Sequence, residues 1–189
     1  LPGCARPPHN GHRDPPGMPL RSILAVTDFS PKGCHAIARA ALLCAEHRAT
    51  LKLVYLAHPD EAPPPDAAVR LAQHALQLRQ RHHITVQAAT RMDLTAADVA
   101  REAADADLVV WGTAPLRGLA AWFRTHPAVR MLRACQRPVL VVRKAAAQPY
   151  QSLLVAVDFS QVSQRLVELG SALQPSARIE LFHAIDTTN

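Results

Sequence analysis

The sequence predicts a doubly wound α/β domain, a five-stranded parallel sheet with helices on both faces, followed by a partial second copy. Three observations carry this. Short apolar, β-branched runs alternate with longer segments of helical period, and strands separated by helices of ten or more residues pair in parallel through right-handed crossovers. The runs lack polar alternation, as strands buried on both faces do. The opening "RSILAVTDFS" at 21–30 returns as "QSLLVAVDFS" at 151–160, an offset from 21 to 151 of one domain length.

Residues 1–20 are rich in Pro, Gly and His, and they lack the apolar core of a signal peptide. They are expected to be a disordered tail, with Met18 as the natural start. "SILAVTD" is the first strand. Ser30 supplies an N-cap and Pro31 suits the first helical position. Ile37, Ala41 and Cys44 then give that helix an apolar face. "TLKLVYLA" is the second strand, ended by His58-Pro59, and prolines keep "DEAPPP" extended. A helix from about Asp66 to Arg81 follows, with Val69, Ala72 and Leu76 as its apolar side. "ITVQAA" is the third strand. Thr95 and Asp98 form a capping box for a helix ending near Ala104. "DLVVWG" is the fourth strand, a helix runs from about Thr125 to Cys135, and "PVLVVR" is the fifth strand.

The first domain is therefore 21–144, with 145–150 as a linker and 151–189 as the partial copy. In that copy "IELFHAI" at 179–185 answers "LKLVYLA" at 51–57. It has no counterpart of Trp111–Arg143. A lone β-α-β unit does not bury both faces of its strands. It must lean on the first domain or on chain beyond Asn189.

Composition narrows the function. Hydrophobic residues make up 49% of the chain and aromatics 4%, so the core is built from Ala, Val, Leu and Ile. No apolar run approaches the ~20 residues that span a bilayer, and no membrane partner is expected. The net charge is +6, but the basic residues are scattered. They read as a solvated surface, not a nucleic-acid footprint. Cys4, Cys34, Cys44 and Cys135 form no C-x-x-C pair; Cys34, Cys44 and Cys135 lie in helical, apolar-rich contexts and read as reduced thiols, for which a cytoplasmic home fits best. The ten histidines lack metal-ligand spacing. No Ser-His-Asp or Cys-His arrangement emerges, so no enzyme is expected.

In such sheets ligands sit beyond the carboxyl ends of the strands, where the strand order reverses. Asp28 and Asp158 end first strands at that edge. A carboxylate there accepts hydrogen bonds from a ribose hydroxyl or an adenine amine; equally, Asp and Ser there terminate the strand and cap the helix. The stretch after the fourth strand presents backbone N–H groups and a helix start to an anion. Gly112 and Gly118 allow close backbone approach, Thr113 and Thr125 offer hydroxyls, and Arg117, Arg124 and His126 add positive charge.

On "ILAVTDFS", "ADLVVWGT" and "RMLRACQRPVLVVR", residues 21–144 resemble the universal stress protein family, and the repeat makes the whole resemble a tandem member. The resemblance implies an adenine nucleotide alpha hydrolase-like fold and a cytoplasmic stress-response role. It also implies dimerisation through the fifth strand, as a homodimer or as a pseudo-dimer within one chain. One branch of the family binds ATP through an Asp ending the first strand and a G-x-x-G-x9-G-[ST] loop. Here the Asp matches Asp28 and the first glycine matches Gly112, followed by Thr113. The second glycine falls on Pro115, the third on Thr125, and the hydroxyl position on His126. Proline has no N–H to offer, and a lost hydrogen bond to a charged group removes roughly 1.5–3 kcal/mol. Two readings follow. In the first, the chain is a regulatory module acting through dimerisation or protein association, its ATP loop eroded and no cofactor bound. In the alternative it is a nucleotide-binding switch that takes ATP with Asp28, Gly112, Thr113, Gly118, Thr125 and His126.

Overall fold

The strand Ser22–Thr27 (β1) lies at the centre of a five-stranded parallel sheet in the computed structural model of the chain. The structure describes residues 20–57, 62–112, 134–145 and 148–184. After β1 come the helix Pro31–His47 (α1), the strand Thr50–Tyr55 (β2), the helix Ala67–His82 (α2) and the strand Val86–Ala88 (β3). Then follow the helix Ala96–Glu102 (α3), a 3-10 turn at Ala103–Asp105, and the strands Leu108–Gly112 (β4) and Val139–Val142 (β5). The sheet order is β3-β2-β1-β4-β5. The chain winds one way through β2 and β3 and the other way through β4 and β5. The reversal falls between β1 and β4, where Val26 pairs with Trp111.

Local chemistry accounts for the boundaries. Ser30 caps α1, its hydroxyl accepting from the Gly33 amide at 3.1 Å. The helix ends on Arg48 in the left-handed region, at φ 55°. Thr95 and Asp98 form the expected reciprocal capping box. Along β1, Ile23, Leu24, Ala25, Val26 and Thr27 are all buried. Leu24, Val26, Val54 and Val109 meet Leu94, Val99, Ala103 and Cys135 in one cluster. Each fully buried Leu or Val contributes about 1.5–3 kcal/mol, so β1 and its neighbours anchor the fold. Ile37, Ala41 and Cys44 are buried as expected. Burial pushes the Cys44 thiol up to about 12, so it stays protonated and inert.

One expected face is corrected. Val69, Ala72 and Leu76 do not face the core; Val69 and Leu76 are among the exposed apolar residues. The buried stripe of α2 is Ala67, Leu71 and Ala75. Two alanines bring the helix axis close to the sheet, and the larger side chains are left outside. Arg79 helps fix this rotation, its guanidinium donating to the Val86 carbonyl at the end of the next connection.

The chain divides into two compact units, Pro19–Tyr150 being one and Gln151–Asn189 lying in the other. The segment expected as a linker is tied to the first at its carboxyl end. Arg39 donates to the Gln148 carbonyl at 2.9 Å and lies 4.0 Å over the Tyr150 ring. In the other unit, the strand Ser152–Ala156 (β6), the helix Gln161–Leu173 (α4) and the strand Arg178–Phe182 (β7) form a β-α-β arrangement with parallel strands. The expected helix from Thr125 lies outside the described residues except at its end.

Candidate functional site

The carboxyl edge of β1 is built by a short turn into α1. Thr27 is the last strand residue, and its hydroxyl accepts from the Phe29 amide at 3.0 Å. Asp28 is exposed, and its Oδ1 accepts from the Ser30 amide at 2.9 Å. That Asx turn holds Phe29 at φ 60°, a conformation that a bulky side chain adopts only when its surroundings impose it. The imposing contacts are visible. The Phe29 ring stacks on Tyr55 at 4.7 Å and on His74 at 6.0 Å, and the Arg70 guanidinium lies 4.3 Å from its centroid. Burial and the neighbouring Arg70 charge hold the His74 imidazole below its ordinary range.

Gly112 ends β4 beside this turn, and its place is sterically determined. A Cβ added there would stand 1.9 Å from the Lys32 carbonyl oxygen and 2.8 Å from the Gly33 amide nitrogen. The close backbone approach expected of Gly112 is therefore made to the first turn of α1. Gly33 is equally constrained: a Cβ on it would lie 2.6 Å from Asp28 Oδ1 and 2.7 Å from Thr27 Oγ1. The two glycines bring the end of β4, the start of α1 and the Asp28 carboxylate together at the switch point. Such an edge, with an unburied carboxylate beside a helix start, is where a doubly wound sheet meets a polar ligand.

Of the residues singled out from the sequence, the structure thus brings Asp28 and Gly112 to one edge. Thr113, Gly118, Thr125 and His126 lie outside the described residues, as does Pro115. Sequence reasoning missed Gly33 and the Phe29–Tyr55–His74–Arg70 stack. The repeated Phe in both "DFS" segments was the available signal.

The second unit has a parallel turn. Ser160 caps α4 through the Ser163 amide at 3.3 Å, and Asp158 Oδ1 accepts from the Ser160 amide at 3.0 Å. The Ser163 hydroxyl also donates to Asp158 Oδ1 and accepts from the Asp158 amide at 2.9 Å. Ser160 and Ser163 together hold the Asp158 carboxyl well below the usual carboxylate range. His183 Nδ1 lies 2.7 Å from the Val157 carbonyl, so it is committed to the backbone and not to a serine. Among the described residues no group of three or more His, Cys, Asp or Glu side chains is arranged to hold a metal. No helix among them is long and apolar enough to cross a membrane.

The class defined by this fold and edge is a doubly wound α/β domain of five parallel strands. The universal stress protein family profile matches residues 19–143, and the chain belongs to that family. Among curated proteins nothing matches the chain. Several solved structures share the fold. A universal stress protein from Archaeoglobus fulgidus DSM 4304 is 13% identical, with a TM-score of 0.64 over 88% of this chain and 68% of its own. A putative universal stress protein from Pseudomonas aeruginosa UCBPP-PA14 is 21% identical, with a TM-score of 0.65 over 87% of this chain and 60% of its own. A universal stress protein solved in complex with cAMP is 19% identical, with a TM-score of 0.51 over 67% of this chain and 98% of its own.

Proposed function

We propose that the chain is a non-enzymatic stress-response module of the cytoplasm that works by association through its fifth strand. The observation that carries this is the position of β5. It pairs with β4 on one side, and no strand among the described residues lies on its other side. Its sequence is Val-Leu-Val-Val, with Val141 among the exposed large apolar residues. An apolar edge of this kind presents unpaired backbone groups to a second strand. A second copy of the chain satisfies them by pairing edge to edge. The test is the molar mass of the full chain by light scattering. We expect a dimer at tens of micromolar, converted to a folded monomer by Val141→Lys. A wild-type monomer, or a variant that still dimerises, would sink the reading.

The second reading, a nucleotide-binding switch, is favoured by one observation. The Asp28 carboxylate is exposed at the switch point, and among the described residues it is engaged only through Oδ1, in the hydrogen bond from Ser30. The similar fold of the cAMP complex supports an adenine nucleotide as the ligand. Pro115 and Thr125 oppose a triphosphate, since one lacks an N–H and the other adds a Cβ where the family pattern has bare backbone. Calorimetry with ATP and with cAMP separates the cases. Saturable binding lost in Asp28→Ala establishes the switch, and no heat with either nucleotide at millimolar concentration removes it.

A further inference from the structure

Arg39 is 8% exposed, an uncommon depth for a guanidinium. It stands on α1, where the carboxyl end of the linker meets it. Its Nη1 donates to the Gln148 carbonyl, and its Cζ lies 4.0 Å from the centroid of the Tyr150 ring. Those contacts leave one donor over. Among the described residues Arg39 Nε is buried without a hydrogen-bond partner, and so is His35 Nδ1. Residues four apart on a helix are neighbours on one face. The two unpartnered nitrogens therefore belong to adjacent turns on one flank of α1.

Charge narrows what suits them. No acidic residue precedes Glu46 in α1, and none stands in 143–150, where Arg143 and Lys144 add to the positive sign. Among the described residues no carboxylate pairs with Arg39. A carbonyl dipole and a ring face offset part of the cost of burying a guanidinium, and a counter-charge offsets more. A water molecule can bond both nitrogens but leaves the charge uncompensated. An anion answers both needs. Neutral His35 donates from Nδ1 in one of its two tautomers. Beside Arg39 Nε it then makes a pair of neighbouring donors, which suits two oxygens of one oxyanion.

We infer that His35 and Arg39 bind a small inorganic oxyanion, of the phosphate class, on the flank of α1. The depth of Arg39 selects a free ion over a phosphate carried by a nucleic acid or a protein, which needs an open surface. Arg39 stands at the middle of Pro31–His47. The site is therefore not the helix start beside Asp28, and the inference stands apart from both readings above. Gln148 and Tyr150 belong to the segment that leads through Gln151 into β6. The anion thus neutralises the side chain that fastens this segment to α1.

The probe is inorganic phosphate, titrated into the full chain at constant ionic strength. The readout is the nitrogen-15 resonance of Arg39 Nε–H, assigned by its loss in Arg39→Gln. We expect a saturable shift in the millimolar range or below, while the exposed Arg81 moves little. His35→Ala should weaken the binding about tenfold or more, as loss of a hydrogen bond to a charged group does. Should Arg39→Gln fail to fold, His35→Ala assigns the resonance as the one whose phosphate response it weakens. A resonance that phosphate does not move overturns the inference, since water then serves the two nitrogens. A shift shared equally by Arg39 and Arg81, or an affinity that His35→Ala leaves unchanged, marks an adventitious ion only, held by the net charge of +6. That outcome overturns the inference as well.

Discussion

Thr27-Asp28-Phe29-Ser30 and Val157-Asp158-Phe159-Ser160 follow the same path, each with a left-handed Phe and an Asp that accepts from the Ser amide two residues on. They differ in where a hydroxyl sits. In the first turn it belongs to Thr27 at the strand end, and position 33 is glycine, which leaves room for it. In the second turn the place of Thr27 is taken by Val157, the residue after β6, and the hydroxyl has moved to Ser163, the counterpart of Gly33. The exchange has a chemical consequence. Among the described residues, Asp158 Oδ1 accepts from both Ser160 and Ser163, whereas Asp28 Oδ1 accepts from Ser30 alone. The second carboxylate thus spends one more hydrogen bond at Oδ1 on securing its own turn than the first. The rings differ in the same sense, Phe29 being enclosed by Tyr55, His74 and Arg70 while Phe159 meets His183 and solvent.

The sharpest way to break this comparison is to transplant it. Gly33→Ser alone places a Cβ within 2.7 Å of Thr27 Oγ1 and 2.6 Å of Asp28 Oδ1. It should destabilise the first unit by about 2–3 kcal/mol, at the upper end of overpacking. Thr27→Val alone removes the acceptor of the Phe29 amide, a loss of about 1 kcal/mol. The double variant reproduces the second turn, so its loss should fall short of the sum by about 1 kcal/mol or more, measured by denaturant unfolding. Strict additivity would mean that the two positions do not share one hydroxyl site.

The rings give the next largest contrast. Phe29→Ala removes a stacked, cation-covered side chain and should cost about 2 kcal/mol in the first unit. Phe159→Ala should stay within about 0.5 kcal/mol, as exposed positions do. Equal losses by thermal unfolding would show that enclosure of the ring is not what separates the two turns. The Phe29 stack also carries a pH signature. Its His74 partner titrates below the ordinary imidazole value of about 6.5. The neutral form is favoured in the fold, so the contribution is present above the ordinary value and lost as pH falls through the folded one. His74→Gln should flatten the acid limb of the stability profile between those values.

What the sequence made legible follows from which signals are local. Strands of continuous apolar residues, the Ser30 cap and the Thr95–Asp98 box all depend on neighbours in the chain, and each formed where its residues stand. The sheet edge that carries Asp28 was legible for the same reason. The rotation of α2 was not, because Val69 and Leu76 are bulkier than the alanines that set the approach to the sheet. Gly33 was invisible because its constraint comes from Thr27 and Asp28 across the turn. Gly112 looked like a ligand-facing glycine. Its nearest constraint is the Lys32 carbonyl, a contact created only when β4 and α1 pack. The phosphate half of the expected site, Thr113 to His126, is legible only as a departure from the family pattern.

The smallest predicted effect tests the hydroxyl as an electrostatic device rather than a packing one. Ser163→Ala keeps the Cβ and removes the donor to Asp158 Oδ1. The Asp158 carboxyl lies below its ordinary value, with Ser160 and Ser163 as the leading causes. A carboxyl lowered in the fold contributes stability above its unfolded value of about 3.9, and that contribution is lost as pH falls through the folded value. Without the Ser163 hydroxyl the folded value should rise toward the ordinary one, which narrows that window from below. A carbon-13 titration of the Asp158 carboxyl reads the shift directly. If the midpoint does not move, Ser160 alone sets it, and the exchange of Thr27 and Gly33 for Val157 and Ser163 would be a change of packing with no bearing on which carboxylate is free to meet a ligand.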